Sequence, residues 1–148
     1  MTTLVGTQAN FADALKELIE LDYDAVDAYQ AAIDRLENEE YKAKLGKFKA
    51  DHESHIKVLN RILHAHDGVI VESGGAKGWL TKGKVILANL IGDKTILKAM
   101  RSNEEDTNTA YKKMNSHKAK WTDAADAIAQ GMEDEEKHKK WLDAILDD

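Results

Sequence analysis

The chain has 148 residues, 43% of them hydrophobic and 32% charged, which suits one soluble domain with a single buried core. Its net charge of −6, without a basic block, argues against nucleic acid or an anionic membrane surface as partner, and the absence of Cys excludes disulfides, thiolate chemistry and Fe–S clusters. Pro is also absent, and the abundance of Ala, Leu, Lys, Glu and Asp favours helices over strands.

The first ten residues show neither a cationic start nor an apolar run, so no signal peptide is expected. The densest apolar stretch, Val85 to Ile91, is interrupted by Asn89 and is too short to span a bilayer. A cytoplasmic location is the expectation.

The first helix is predicted over residues 10–37, with Asn10 as N-cap and Asp13 in the first turn. Stepping by alternating threes and fours, Leu15, Leu18, Asp22, Ala25, Tyr29, Ala32 and Leu36 make one face. Asp22 is the one charged member, and a carboxylate in a buried seam needs a partner. A hydrogen bond from a neighbouring helix would serve, as would a cation. A short turn at Asn38-Glu39-Glu40 predicts an antiparallel second helix over 39–66. Its seam is Tyr41, Leu45, Phe48, His52, His55, Leu59, Ile62 and His66, with two imidazoles at successive core positions. Asp22 and His55 are almost equally far from Glu39, which puts them at nearly the same height in the hairpin.

Asp67-Gly68 and Ser73-Gly74-Gly75 are turn chemistry and open the one long connection. Within it, residues 79–91 read as a short helix ended by Gly92, either capping the bundle or offering a homodimer surface, with capping ahead. Asp93 is the predicted N-cap of a third long helix over 93–115, whose seam is Leu97, Met100, Glu104, Thr107, Tyr111 and Met114. Thr122 or Asp123 is expected to cap a fourth helix over 122–146 with the seam Trp121, Ala124, Ile128, Gly131, Glu135, His138, Leu142 and Ile145. Glu135 and His138, three apart, lie one turn above each other on that face. Taken alone, Glu-x-x-His on so charged a helix could be an exposed patch. His64, His66 and His117 read as surface or flanking residues.

The two halves repeat. Asp22 and Tyr29 fall on Glu104 and Tyr111 at a shift of 82 positions, and the second helix falls on the fourth at a shift of 83. At that shift Asp51, Glu53, His55, Lys57 and Leu59 meet Asp134, Glu136, His138, Lys140 and Leu142, while His52 meets Glu135. Two duplicated hairpins, 10–66 and 93–146, therefore predict an all-α, pseudo-symmetric, antiparallel four-helix bundle in one domain, with a long, partly helical crossover between helices two and three.

A carboxylate seven before a Tyr, followed by Glu-x-x-His, twice over, resembles the ferritin-like superfamily, in particular the rubrerythrin-type di-iron carboxylate bundles. The stretches Leu18–Tyr29, Asp51–Ile56 and Gly92–Met100 are similar to a small bacterial branch of unassigned function related to the DUF2383 group. The resemblance implies Asp22 and Glu104 as terminal metal carboxylates and Glu135 with His138 as an intact Glu-x-x-His motif. The other motif departs from the pattern, since His55 matches its His but His52 stands where a metal-bridging Glu is expected. A neutral imidazole offers one lone pair and cannot bridge, so an oxide, a hydroxide or an extra carboxylate is expected to make up the charge, with Asp51, Glu53, Asp24 and Asp27 beside the seam as sources of the last. Tyr29 and Tyr111 read as supports or packing ahead of redox-active groups.

The expected metal ligands are thus Asp22, His52, His55, Glu104, Glu135 and His138, and the expected cofactor is iron, dinuclear or mononuclear, with manganese and zinc as alternatives. The expected activity is oxidation of Fe(II) with oxygen or peroxide. The competing reading is a non-enzymatic structural or stress-related bundle whose site is degenerate or zinc-filled. Without metal, the buried carboxylates are expected to repel one another, and several of them to take up protons.

Overall fold

The computed structural model describes residues 3–74 and 90–147, and over these the chain forms four long helices and no strand. They are α1 (Phe11–Arg35), α2 (Glu39–Ala65), α3 (Asp93–Asn115) and α4 (Ala125–Leu146), the last led in by a 3-10 turn at Thr122–Ala124. None of these helices is long and apolar enough to cross a membrane. The Asn10 side chain accepts the Asp13 N–H at 3.1 Å, the expected cap of α1, and the Asn38 side chain accepts from Glu40 and Tyr41 to start α2.

Two expected caps lie elsewhere. Gly92, at φ 96°, is the N-cap of α3 and has no side chain to offer. The Asp93 carboxylate instead accepts the backbone N–H groups of Glu37 and Asn38 at 2.8 and 2.9 Å, tying the start of α3 to the α1–α2 turn. Helix α4 begins at Ala125 without a side-chain cap, because Thr122 and Asp123 belong to the 3-10 turn and Asp123 pairs with His66.

Side-chain pairs fix the topology. On α1 and α2, Asp22 meets His52 and Gln30 meets Lys49; on α3 and α4, Thr107 meets Glu135 and Arg101 meets Asp143. Rising numbers face falling numbers in both hairpins. The same holds for α1 against α3 (Asp22 with Tyr111, Tyr29 with Glu104) and for α2 against α4 (His55 with Asp134, Asp51 with His138). Every neighbour is antiparallel, so α2 and α3 lie diagonally and run parallel, and the chain must return the length of the bundle between them. His66 lies beside Asp123 at one end, and Asp93 is anchored to the α1–α2 turn at the other.

The return starts with a tight C-terminal motif on α2. The Gly68 N–H donates to Leu63 O at 2.9 Å and the Asp67 N–H to His64 O at 3.0 Å, with Asp67 in the left-handed region at φ 62°. The Asn60 side chain then clasps the Val71 backbone through both its N–H and its C=O, and Gly74 lies so close to α1 that a Cβ would come within 2.6 Å of the Glu20 carbonyl. The short helix expected over 79–91 lies outside the described residues except for Leu90 and Ile91, which are not helical.

Burial follows the predicted seams. All seven members of the α1 seam and all six of the α3 seam are buried, while the α2 and α4 seams open only near their ends, at Tyr41, Ile62, His66, Trp121 and Ile145. The apolar core comes in two parts. One gathers Leu15, Leu18, Leu59, Leu63, Met114 and Ile128, and the other Ala32, Leu45, Phe48, Leu97, Met100 and Leu142. The buried polar residues of the four seams, Asp22, His52, His55, Glu104, Thr107, Glu135 and His138, occupy the layer between them. Because its two charge-assisted hydrogen bonds hold the α1–α2 turn, Asp93→Ala should lower stability by about 1–2 kcal/mol in chemical denaturation, with a smaller loss in Asp93→Asn, which keeps one acceptor oxygen.

Candidate metal centre

The polar layer brings all six expected site residues together, one from each of α1 and α3 and two from each of α2 and α4. Asp22, Glu104, Glu135, His52 and His138 are at most 1% exposed and His55 is 8% exposed. Two overlapping groups arise: Asp22, His52, His55 and Glu135, and His52, Glu104, Glu135 and His138. In each, the atoms able to ligate all lie within 4.8 Å of one another, so either group could hold a metal ion.

The spacings suit a small cation. In the first group, His52 Nδ1 is 2.8 Å from Asp22 Oδ1 and 3.4 Å from Glu135 Oε1, and His55 Nδ1 is 3.5 and 3.6 Å from the same two oxygens. In the second, His138 Nδ1 is 3.3 Å from Glu104 Oε1 and 3.4 Å from Glu135 Oε2, and His52 Nε2 is 3.6 Å from Glu104 Oε1. Bonds of about 2.1 Å to a central ion place neighbouring ligand atoms roughly 3.0–3.4 Å apart in octahedral or tetrahedral sites. Glu135 directs one oxygen at each group, the posture of a bridging carboxylate. His52 likewise directs one ring nitrogen at each.

Partners outside the six residues hold them in place, and these partners are reciprocal across the bundle. Asp134 on α4 takes the outer Nε2 of His55 at 2.9 Å, and Asp51 on α2 takes the outer Nε2 of His138 at 2.8 Å, which leaves each Nδ1 facing inwards. The Tyr111 hydroxyl on α3 donates to Asp22 Oδ2 at 2.7 Å, and the Tyr29 hydroxyl on α1 donates to Glu104. Both tyrosines are thus hydrogen-bond supports of the carboxylates. Thr107 Oγ1 lies 3.0 Å from both Glu104 Oε2 and Glu135 Oε2, and the Asn108 amide donates to the backbone carbonyls of Glu104 and Glu135. A cavity of about 90 Å³ between α2 and α4, lined by Ser54, His55, Gln130 and Asp134 among others, reaches the centre at His55.

Several neighbours play other parts than the sequence suggested. Asp51 does not lend a carboxylate to the centre, because it is spent on the outer face of His138. Glu53 and Asp27 are exposed, Asp24 is buried beside Gly74, and none joins either group. His64 is exposed, His66 stacks on Trp121 at 3.7 Å, and His117 meets the Gln8 carbonyl. Asp134 is a support that the seams do not mark, and its signal in the sequence is its repetition of Asp51 at the 83-position shift. Gly131 has a specific reason as well: a Cβ there would lie 2.2 Å from a Tyr111 ring carbon, so only glycine admits the ring whose hydroxyl holds Asp22. Gly131→Ala should therefore cost about 1–3 kcal/mol by overpacking, measurable in thermal denaturation, and Tyr111→Leu should relieve most of it in the double variant.

The expected mutual repulsion of the carboxylates is only partly realised. Burial alone would raise Asp22, but the hydrogen bond from His52 and the charges of His52 and His55 outweigh it and hold Asp22 low. Burial likewise opposes Glu104, and His138 and His52 hold it well below the ordinary range. Glu135 alone is pushed up, by burial first and then by the Glu104 charge. Burial works against charging the imidazoles too, yet Glu135, Asp22 and Glu104 hold His52 up at about 9, and Asp134 and Asp22 hold His55 up at about 10. Groups raised on folding stabilise fully below their unfolded pKa and lose that contribution as pH climbs through the folded value. Chelator-treated protein should therefore lose stability as pH rises from about 6.5 through about 10. Asp22 and Glu104, held low, contribute with the opposite sign and lose their share only as pH falls below the carboxylate range. Denaturation followed from the acid side of the carboxylate range up to about pH 10 measures both limbs.

No curated protein and no solved structure matches this chain. The family model described as a domain of unknown function, DUF2383, matches residues 10–117, which takes in α1, α2, α3 and four of the six residues of the centre. By that match the chain belongs to the DUF2383 family.

Proposed function

We propose that this chain is a single, internally duplicated ferritin-like domain that binds a non-haem transition metal in its core, iron first and manganese second, and that it handles Fe(II) with dioxygen or peroxide. One observation carries the metal reading. His52 Nε2, His55 Nδ1, His138 Nδ1 and Glu135 Oε1 are all buried without a hydrogen-bond partner, and all four belong to the two metal-capable groups. Buried polar atoms are almost always satisfied, and four such exceptions within one small layer call for a ligand. The donors are carboxylate oxygens and imidazole nitrogens with no thiolate, a set that suits iron and manganese and also admits zinc.

A redox-active ion held there supplies one-electron chemistry towards oxygen species. The chain itself supplies the surroundings. Asp51 and Asp134 orient the two imidazoles and raise their basicity, and Tyr29 and Tyr111 fix the two terminal carboxylates. Both phenols stay protonated well above their ordinary pKa, through burial and the nearby carboxylates, and so remain donors at neutral pH. Apolar layers on either side keep bulk water away. A metal-free structural bundle is the competing reading, and the balance of imidazolium against carboxylate favours it as far as folding is concerned. It leaves the four unmet atoms without a purpose.

Protein purified without chelator should contain close to stoichiometric iron or manganese by elemental mass spectrometry, and Fe(II) added in air should give a near-ultraviolet absorbance band. Glu135→Ala, which removes a ligand common to both groups, should lower metal content at least tenfold, whereas Glu105→Ala on the exposed face of α3 should leave it unchanged. Wild-type protein that stays metal-free when produced with both ions in excess would reject the metal reading.

A further inference from the structure

We infer that His52 makes the two ligand groups mutually exclusive, so that the centre holds one divalent cation at a time in either of two overlapping positions. The inference rests on the metal reading above and departs from the dinuclear arrangement that the ferritin-like resemblance implies. A pair of ions needs bridging groups that can serve both at once. Helix α4 offers one, Glu135, whose two oxygens face different groups. The matching position on α2 is His52, completely buried at the node the two groups share.

The ring is seated so that its two nitrogens divide between the groups. Nδ1 faces Asp22 and Glu135 Oε1, the oxygens that His55 also faces. Nε2 faces Glu104 Oε1, the oxygen that His138 also faces. A neutral imidazole carries one lone pair and one N–H. When Nδ1 holds an ion in the first position, the N–H is on Nε2 and points into the second, where a cation would have to sit. When Nε2 holds an ion, the N–H is on Nδ1 and points at Asp22. A carboxylate with two oxygens has no such conflict, because both carry lone pairs at once.

Charge acts in the same direction. Asp22, Glu104 and Glu135 supply three negative charges, so two divalent ions would leave a positive surplus in a layer closed by apolar side chains. No neighbouring acid corrects it, since Asp51 and Asp134 are engaged on the outer faces of the imidazoles. The six residues therefore fit one ion well and two ions poorly.

Titration of Mn(II) into the metal-free full-length chain tests this, with calorimetry for stoichiometry and electron paramagnetic resonance for proximity of the ions. The wild type should take up one equivalent with the signal of an isolated ion, and any second equivalent should bind at least tenfold more weakly. His52→Glu, which supplies two lone-pair oxygens and a fourth negative charge, should bind two equivalents within tenfold of each other and give an exchange-coupled spectrum. Should that variant fail to fold by circular dichroism, His52→Asp supplies the same two lone-pair oxygens and fourth negative charge on a shorter side chain, and it too should bind two equivalents within tenfold of each other. Two wild-type equivalents within tenfold of each other would overturn the exclusion while leaving the metal reading standing, and so would a folded His52 variant that still takes only one. A wild type that binds no Mn(II) removes the metal reading itself, and the exclusion with it.

Discussion

Six ionisable side chains lie in the buried middle layer of this bundle, and the rest of the architecture depends on how they are compensated. A lone buried charge costs several kcal/mol, so each of the six must be met from another helix. The pairing is reciprocal: Tyr29 of α1 serves Glu104 of α3, and Tyr111 of α3 serves Asp22 of α1. Asp51 of α2 serves His138 of α4, and Asp134 of α4 serves His55 of α2. A slide of one helix along its neighbour would break two of these bonds together and strand charged groups between apolar layers. The polar layer thus sets the register of all four helices, a task that leucine packing alone performs loosely.

That register also dictates the path of the chain. With the two hairpins packed so that every neighbour is antiparallel, α2 ends at the opposite pole from the start of α3. The connection must climb the bundle, and its described parts are built for close passage. Asp67 takes the left-handed conformation that ends α2 sharply, Asn60 holds Val71 against the helix, and Gly74 fits where a side chain would strike α1. The Asp93 carboxylate closes the circuit by binding the far turn, which is why it is unavailable as the cap that its position in the sequence suggests.

Much of this was legible from periodicity. Alternating steps of three and four mark the buried face of each helix, and an Asp, a Glu or a His on such a face marks the centre, because burial makes those residues costly unless they are used. The duplication located the same residues twice, which is why all six of them converge. What the sequence could not convey was direction. Asp51 and Asp134 flank the seam as closely as Glu53 and Glu136 do, and only the packing of α2 against α4 decides which acids reach an imidazole across the interface. The caps were obscured for a related reason, since Asp93 and Asp123 carry the right chemistry for a helix start but find tertiary partners instead. Gly131 reads as a poor seam residue until the Tyr111 ring is placed against it.

The metal-free balance of charge explains how such a core can fold before it meets a cation. Asp22 and Glu104 are held low by imidazoles that are themselves held high, so protons on His52 and His55 occupy the place of a cation's positive charge. Binding an ion must then displace those protons, which couples affinity to pH and makes the proton the ion's competitor. His52 is the point where these demands meet. As an imidazolium it is hydrogen-bonded to Asp22 through Nδ1 and faces Glu104 at 3.6 Å through Nε2, so that its charge offsets both halves of the layer. A glutamate at the same place would add a fourth negative charge to the metal-free core and require more protons to offset it. The residue that limits the centre to one ion is thus also the one that lets the empty centre remain folded, and the exchange of a bridging carboxylate for an imidazole trades capacity for metal against stability without it.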